Sequence, residues 1–209
     1  MTRALLAGTV AIVCACGGSS GPGPTGAQAI AFQQSDVSGA QSCPGTGTWD
    51  QFLSHVQSTD PNAYRGASDS WTKLKADGAT DGYIAIWSDK PAECDAINHE
   101  SQTTGRVVDI AAIHFKDEST AVAAYHGADA SLGIDVSALA RLQVGGGTAV
   151  QGPGTSLGDN SIEAGILLSG QPLYAAYWQH SAFVIVVYGF DLPMMDGRKI
   201  ATTVNGRVH

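Results

Sequence analysis

The stretch from residue 161 to residue 190 restricts the fold more than any other part of the chain. Ile162, Ala164, Ile166 and Leu168 alternate with Ser161, Glu163, Gly165 and Leu167, the period-two signature of a strand. Ser169-Gly170-Gln171-Pro172 turns the chain into residues 173–179, and His180-Ser181 turns it again into residues 183–190. Connections this short join only antiparallel neighbours, so a three-stranded meander is predicted. Its last strand, FVIVVYGF, is apolar on both sides, as befits a central strand covered on both faces. Asp196 then reads as the cap of a final helix with Ile200, Ala201 and Val204 on one face.

Upstream, Thr48 and Gln51 have the spacing of a capping box, and Trp49, Phe52, Leu53 and Val56 follow at i, i+3, i+4 and i+7, which predicts an amphipathic helix ending near Ser58. Asp60-Pro61 offers a second start, a capping carboxylate followed by a proline at N1. That segment runs to Lys75 with Tyr64, Trp71 and Leu74; Gly66 marks where it would divide into two short helices, and Asp77-Gly78 stops it. Residues 83–87 (YIAIW) and 106–115 (RVVDIAAIHF) read as strands. Asp117 caps a helix through Ala121, Val122, Ala124 and Tyr125. Residues 132–144 stay open between the two states. Asp135 suits a short helix, whereas Ala138, Ala140, Leu142 and Val144 alternate like a strand. Gly145-Gly146-Gly147 and Gly152-Pro153-Gly154 mark loops around a short 148–150 piece. The expected class is α+β, a mainly antiparallel sheet with helices packed on one face. Two loosely similar strand–strand–helix halves fill residues 83–127 and 161–206, without any repeat at residue level.

The N-terminus carries a basic Arg3, an apolar run from Ala4 to Val13, and then Val13-Cys14-Ala15-Cys16. About ten apolar residues suit the core of a signal peptide and fall well short of the roughly 20 that span a bilayer. Val13-Cys14-Ala15-Cys16 resembles the lipobox of bacterial lipoproteins. The resemblance implies cleavage before Cys16 and lipid attachment at that cysteine; Cys14 is unsuited, because Val13 before it is not small. The organisation expected is a signal peptide over residues 1–15, a flexible Gly/Ser/Pro-rich tether over 16–39, and one domain over 40–209. Two or more acyl chains hold a protein at a membrane, where one binds only marginally, so the chain is expected on the extracytoplasmic face of a bacterial membrane. The globular part loosely resembles small lipid-anchored, sensor-like domains of bacterial surfaces, a likeness that carries no functional residue over.

With Cys14 removed and Cys16 acylated, two of the four cysteines remain, and Cys43 and Cys94 are expected to pair in an oxidising compartment. Neither belongs to a CxxC pair or has a histidine at ligand spacing, so a metal site is not expected. The net charge of −8 becomes one unit more negative without Arg3. With no basic cluster, this argues against nucleic acid as a partner.

Several patterns fail as sites. Gly154-Thr155-Ser156-Leu157-Gly158 matches the G-x-S-x-G elbow of hydrolases, with Asp191 or Asp196 and His209 behind it. An elbow needs a buried strand before the serine and a helix after it; here a broken glycine-rich stretch precedes it and a strand follows. Asp77-Gly78-Ala79-Thr80-Asp81-Gly82 echoes a calcium loop but has Ala79 where an oxygen ligand belongs and Ser88 where a glutamate belongs, and reads instead as two Asp-Gly turns. The histidines do not cluster: His55 and His126 lie on helices, His99 beside Glu100 in a loop, and His180 at a turn. His114, on the face of Val108, Ile110 and Ala112, is a candidate pH-sensitive group. Tyr174, Tyr177, Trp178 and Tyr188 form an aromatic set on the meander, a candidate binding surface if exposed and core if covered.

No catalytic residues, cofactor or metal are therefore assigned. The expected function is a lipid-anchored binding or sensor-like domain without catalysis of its own. Its partners are the membrane, through the lipid, and an unidentified small ligand or envelope protein. The alternatives are an envelope protein that binds another protein, or an unfamiliar hydrolase. An exposed aromatic patch would favour a protein partner, and an apolar pocket with a few polar groups a small ligand. A cleft holding Asp or Glu beside His114 or His180 would favour an enzyme.

Overall fold

A strand that must be apolar on both sides needs a cover on both sides, and residues 107–115 are such a strand. The computed structural model describes residues 26–94, 103–127 and 147–208. Cys14, Cys16, His99, Glu100, residues 132–144 and His209 lie outside the described residues. The strands are β1 (Gln41–Ser42), β2 (Gly47–Thr48), β3 (Ala79–Ser88), β4 (Val107–Phe115), β5 (Thr148–Gln151), β6 (Ser161–Leu168), β7 (Gln171–His180) and β8 (Phe183–Phe190). They form one sheet in the order β1-β3-β4-β8-β7-β6-β5, with β2 also paired to β3. Every pairing among them is antiparallel. With the helices α1 (Ala27–Ile30), α2 (Trp49–Thr59), α3 (Pro61–Ala76), α4 (Glu118–Gly127) and α5 (Met194–Asn205), the class is α+β, as predicted.

The local signals are met closely. Thr48 and Gln51 close their capping box at α2, and the Asp60 carboxylate accepts from the amides of Asn62 and Ala63 at α3. The 161–190 meander forms, and its first turn places Ser169 and Gly170 both at positive φ, as a two-residue type I′ hairpin requires. Gly66 does not divide α3. A glycine in a helix costs about 1 kcal/mol, less than is gained by burying Trp71 and Leu74 along one continuous face. The final helix starts at Met194 behind Pro193, so Asp196 lies in its first turn and is not its cap. Asp77-Gly78 turns the chain, but Asp81 and Gly82 lie inside β3.

Two larger corrections concern the layers. The helices are shared between both sheet faces: α2, α3 and α4 pack with Ile84, Ile113, Val184 and Val186, while α1 and α5 pack with Ile110, Trp178, Ile185 and Val187. The likeness of the two halves therefore stops at element order, since α4 and α5 close opposite faces. The second correction is the domain boundary. Residues 27–39, expected within the tether, belong in large part to the fold, with Ala27, Ile30, Ala31, Phe32 and Val37 buried. Asp81 Oδ2 accepts the Ala27 amide at 2.9 Å. Arg207, just past α5, donates to the carbonyl of Ala31 at 3.1 Å and to the carboxylate of Asp36.

Helix α5 reaches the sheet because Gly197 has no side chain: a Cβ there would stand 2.2 Å from the Tyr174 ring. The close approach brings Arg198 Nε to 2.9 Å from Glu163 Oε2, while the Tyr174 hydroxyl donates to Glu163 Oε1 at 2.7 Å. Glu163 is wholly buried. Burial first, and then the bond to Glu163, push the Tyr174 phenol well above its usual range. The expected pairing of Cys43 with Cys94 is present as a disulfide across 51 positions. No helix among the described residues is long and apolar enough to cross a membrane.

Candidate functional site

Alternation along β4 assigns Val108, Ile110 and Ala112 to the α1/α5 face, and Asp109 and Ala111 to the face beneath α2 and α3. Asp109 sits mid-sheet, opposite Ile86 of β3 and Tyr188 of β8. On the same face the indoles of Trp49 and Trp71 stack over Gly82 with centroids 5.0 Å apart, and the Trp71 Nε1 donates to Asp50. Gly82 makes room for this pair, since a Cβ there would lie 3.1 Å from both indoles.

Between these layers is a cavity of about 200 Å³. Trp49 and Phe52 of α2, Ala67 and Ser70 of α3, Ile84 of β3, Asp109 and Ala111 of β4, and Val186 and Tyr188 of β8 line it. Two polar atoms of its lining residues are buried without a hydrogen-bond partner: the acceptor Asp109 Oδ1 and the donor Trp49 Nε1. Desolvation pushes the Asp109 carboxyl up to about 7, offset in part by the Ile110 backbone amide. An unsatisfied buried polar group costs roughly 1–3 kcal/mol, and such groups in native proteins call for a reason. Perturbed acids of this kind gather at functional sites.

The pH dependence of folding follows from that carboxyl. Its folded value, about 7, exceeds the ordinary 3.8, so its contribution is fully present below about 3.8 and is lost as pH rises through 7. Between pH 5 and pH 8 this amounts to about 3 kcal/mol. Asp109→Asn should therefore be more stable than wild type at pH 8 and lose that advantage towards pH 5. Urea unfolding of both proteins at four pH values checks this; a difference that does not change with pH removes Asp109 as its source.

Three of the four meander aromatics are core and not an exposed binding surface. Tyr174, Tyr177 and Trp178 are at most 3 % exposed, because both sheet faces are covered. Tyr174 and Trp178 point into the α5 side. Tyr177 lies on the other side, stacked on Tyr125 at 4.6 Å. Tyr188, half-buried, lines the Asp109 cavity. His114 is half-buried and stacks on Phe183 at 4.5 Å.

A second, polar cleft of about 330 Å³ brings Ser156 together with His180, Glu118, Asp159 and Asn205, the acids beside a histidine named above as the feature that favours an enzyme. Ser156 has φ +66° and follows a 3₁₀ turn (Gly152–Thr155), and the chain then enters β6, so the strand–serine–helix order of an elbow is absent. Asn205 Oδ1 accepts from Trp178 Nε1 at 3.0 Å and lies 2.8 Å from His180 Nδ1, which assigns the proton of that ring to Nδ1. Among the described residues no hydrogen bond joins Ser156 to His180. A serine-directed phosphonate is expected to leave the protein's mass unchanged, and an adduct at Ser156 would establish a nucleophile.

No family model, no curated protein and no solved structure matches the chain. Sequence reasoning did not single out Asp109, although a signal was present: an aspartate with apolar residues on both sides within RVVDIAAIHF.

Proposed function

We propose that this chain is a lipid-anchored extracytoplasmic binding or sensor-like domain without catalysis of its own, and that it takes a small ligand into the Asp109 cavity. The observation that carries the reading is the apolar cavity with the Asp109 side chain in its wall, an apolar pocket with a polar group placed in it. The Cys43–Cys94 disulfide fits an oxidising compartment, and the Val13–Cys16 motif supplies the anchor at Cys16. Apolar cavities of about 150 Å³ accept a benzene molecule, so about 200 Å³ suits one ring with a short substituent.

One observation favours the protein-partner alternative. Leu167 and Met195 are 73 % and 75 % exposed, and Leu167 shares a groove with Met194 at the end of the sheet. Cys16→Ala should release the protein from the membrane fraction, and continued sedimentation with membranes would end the anchor. A thermal-shift screen of the released protein with ring-sized molecules then tests the cavity. A reproducible rise that disappears in Ala67→Leu, which fills the cavity from α3, supports the reading. A flat screen on folded protein transfers the function to the Leu167 groove.

A further inference from the structure

We infer that the ligand of this cavity is a compact apolar amine, its ammonium group on the Asp109 carboxylate and its apolar body between Trp49, Phe52 and Tyr188. The inference rests on the cavity being a ligand site, and it adds the chemistry of the ligand.

Among the described residues, no ion pair reaches Asp109: the lysines and arginines with salt bridges pair with Asp77, Asp89, Glu163 and Asp36. The contrast with Glu163 is direct. That buried carboxylate has a phenol on one oxygen and a guanidinium on the other, whereas Asp109, in the cavity wall, has no cation beside it among the described residues and keeps its buried oxygen, Oδ1, without a donor. A charged carboxylate in an apolar setting needs a positive donor of its own, and a ligand ammonium brings up to three N–H groups and the opposite charge. The walls fit the same cation. Two aromatic residues of α2, Trp49 and Phe52, and Tyr188 from β8 line the cavity with Asp109. Ring faces attract an ammonium within about 6 Å and bury an apolar body equally well.

Size limits the ligand to one ring and a short arm, by the volume argument above. An acid is refused, since a second carboxylate beside Asp109 would repel it. A neutral alcohol or hydrocarbon fits the walls but leaves the carboxylate without a counter-charge.

The test is calorimetric titration of the protein carrying Cys16→Ala, at pH 7.5, with benzylamine, benzyl alcohol and toluene as probes, repeated with Asp109→Asn. Benzylamine should bind at least tenfold more tightly than benzyl alcohol or toluene, and Asp109→Asn should remove that advantage while changing the affinity for the neutral probes less than twofold. Equal affinity for all three probes, unaffected by Asp109→Asn, overturns the amine while leaving the cavity as an apolar ligand site. Binding of none of them to folded protein overturns both. Benzylamine binding that survives in Asp109→Asn and is lost in Ala67→Leu places the amine in the cavity without its carboxylate, and likewise overturns the inference.

Discussion

Replacing Arg198 with methionine is expected to cost about 3–5 kcal/mol of folding stability, because it strands a buried carboxylate. Glu163 is wholly enclosed, and Arg198 contacts its Oε2 through both Nε and Nη2 at 2.9 Å. Without the guanidinium, the Tyr174 hydroxyl is the one hydrogen-bond partner left to that carboxylate among the described residues. The companion variant separates a lost contact from a stranded charge. Buried ion pairs replaced on both sides by apolar groups are often near neutral, so Arg198→Met with Glu163→Leu should recover most of the loss. Urea unfolding of the wild type and both variants reads this out. A single-variant loss under about 1 kcal/mol, or a double variant no better than the single, would show that Glu163 does not depend on Arg198.

The second large effect belongs to the disulfide. Cys43 lies between β1 and β2, Cys94 directly follows the 3₁₀ turn Pro91–Glu93, and both are buried in the α2/α3 core. A link across 51 positions restricts the unfolded chain by about 4 kcal/mol in the loop-entropy account. Cys43→Ala with Cys94→Ala should lose about that much, and its denaturant slope should rise because the unlinked chain exposes more surface on unfolding. A double variant within about 1 kcal/mol of wild type, with an unchanged slope, would mean that β1 and β2 are held in place by their pairing with β3 alone.

What the sequence revealed was local. The capping boundaries at Thr48 and Asp60 depend on residues three positions apart or fewer, and the 161–190 meander depends on two short turns. Those were legible. What covers a sheet face is decided by distant chain, and there the reading failed in a consistent way. Alternation in β6 correctly separated Ile162 and Ala164 from Glu163, but nothing near Glu163 says that Arg198, 35 positions on, will lie above it. Helices expected on one face alone left the Glu163 side of that strand without a cover, whereas Ser161 and Glu163 lie in a second interior. The tether was overextended for the same reason. Ala27, Ile30 and Phe32 find their apolar partners in β3, β4 and α5, far along the chain. FVIVVYGF had carried the hint that both faces would be closed. Among candidate sites, only the disulfide was predicted as found. Tyr174, Tyr177 and Trp178 were placed in the right strands with no knowledge of what would cover them. Asp109 was hidden by its neighbours, since a strand motif draws attention to its apolar majority and away from its single acid.

The clasp of Arg207 on Asp36 and on the carbonyl of Ala31 would set the length of a lipid mooring at Cys16. If the lipid sits on Cys16, ten residues separate it from Ala27, and even fully drawn out the stretch reaches no more than about 40 Å. A domain of this size has a radius of gyration of about 16 Å, so it cannot wander far from the headgroups. So anchored, it would ride close to the bilayer with its α1 end inward, and would sample only the thin layer of water that washes the membrane surface. Whatever entered the Asp109 cavity would then be drawn from that layer.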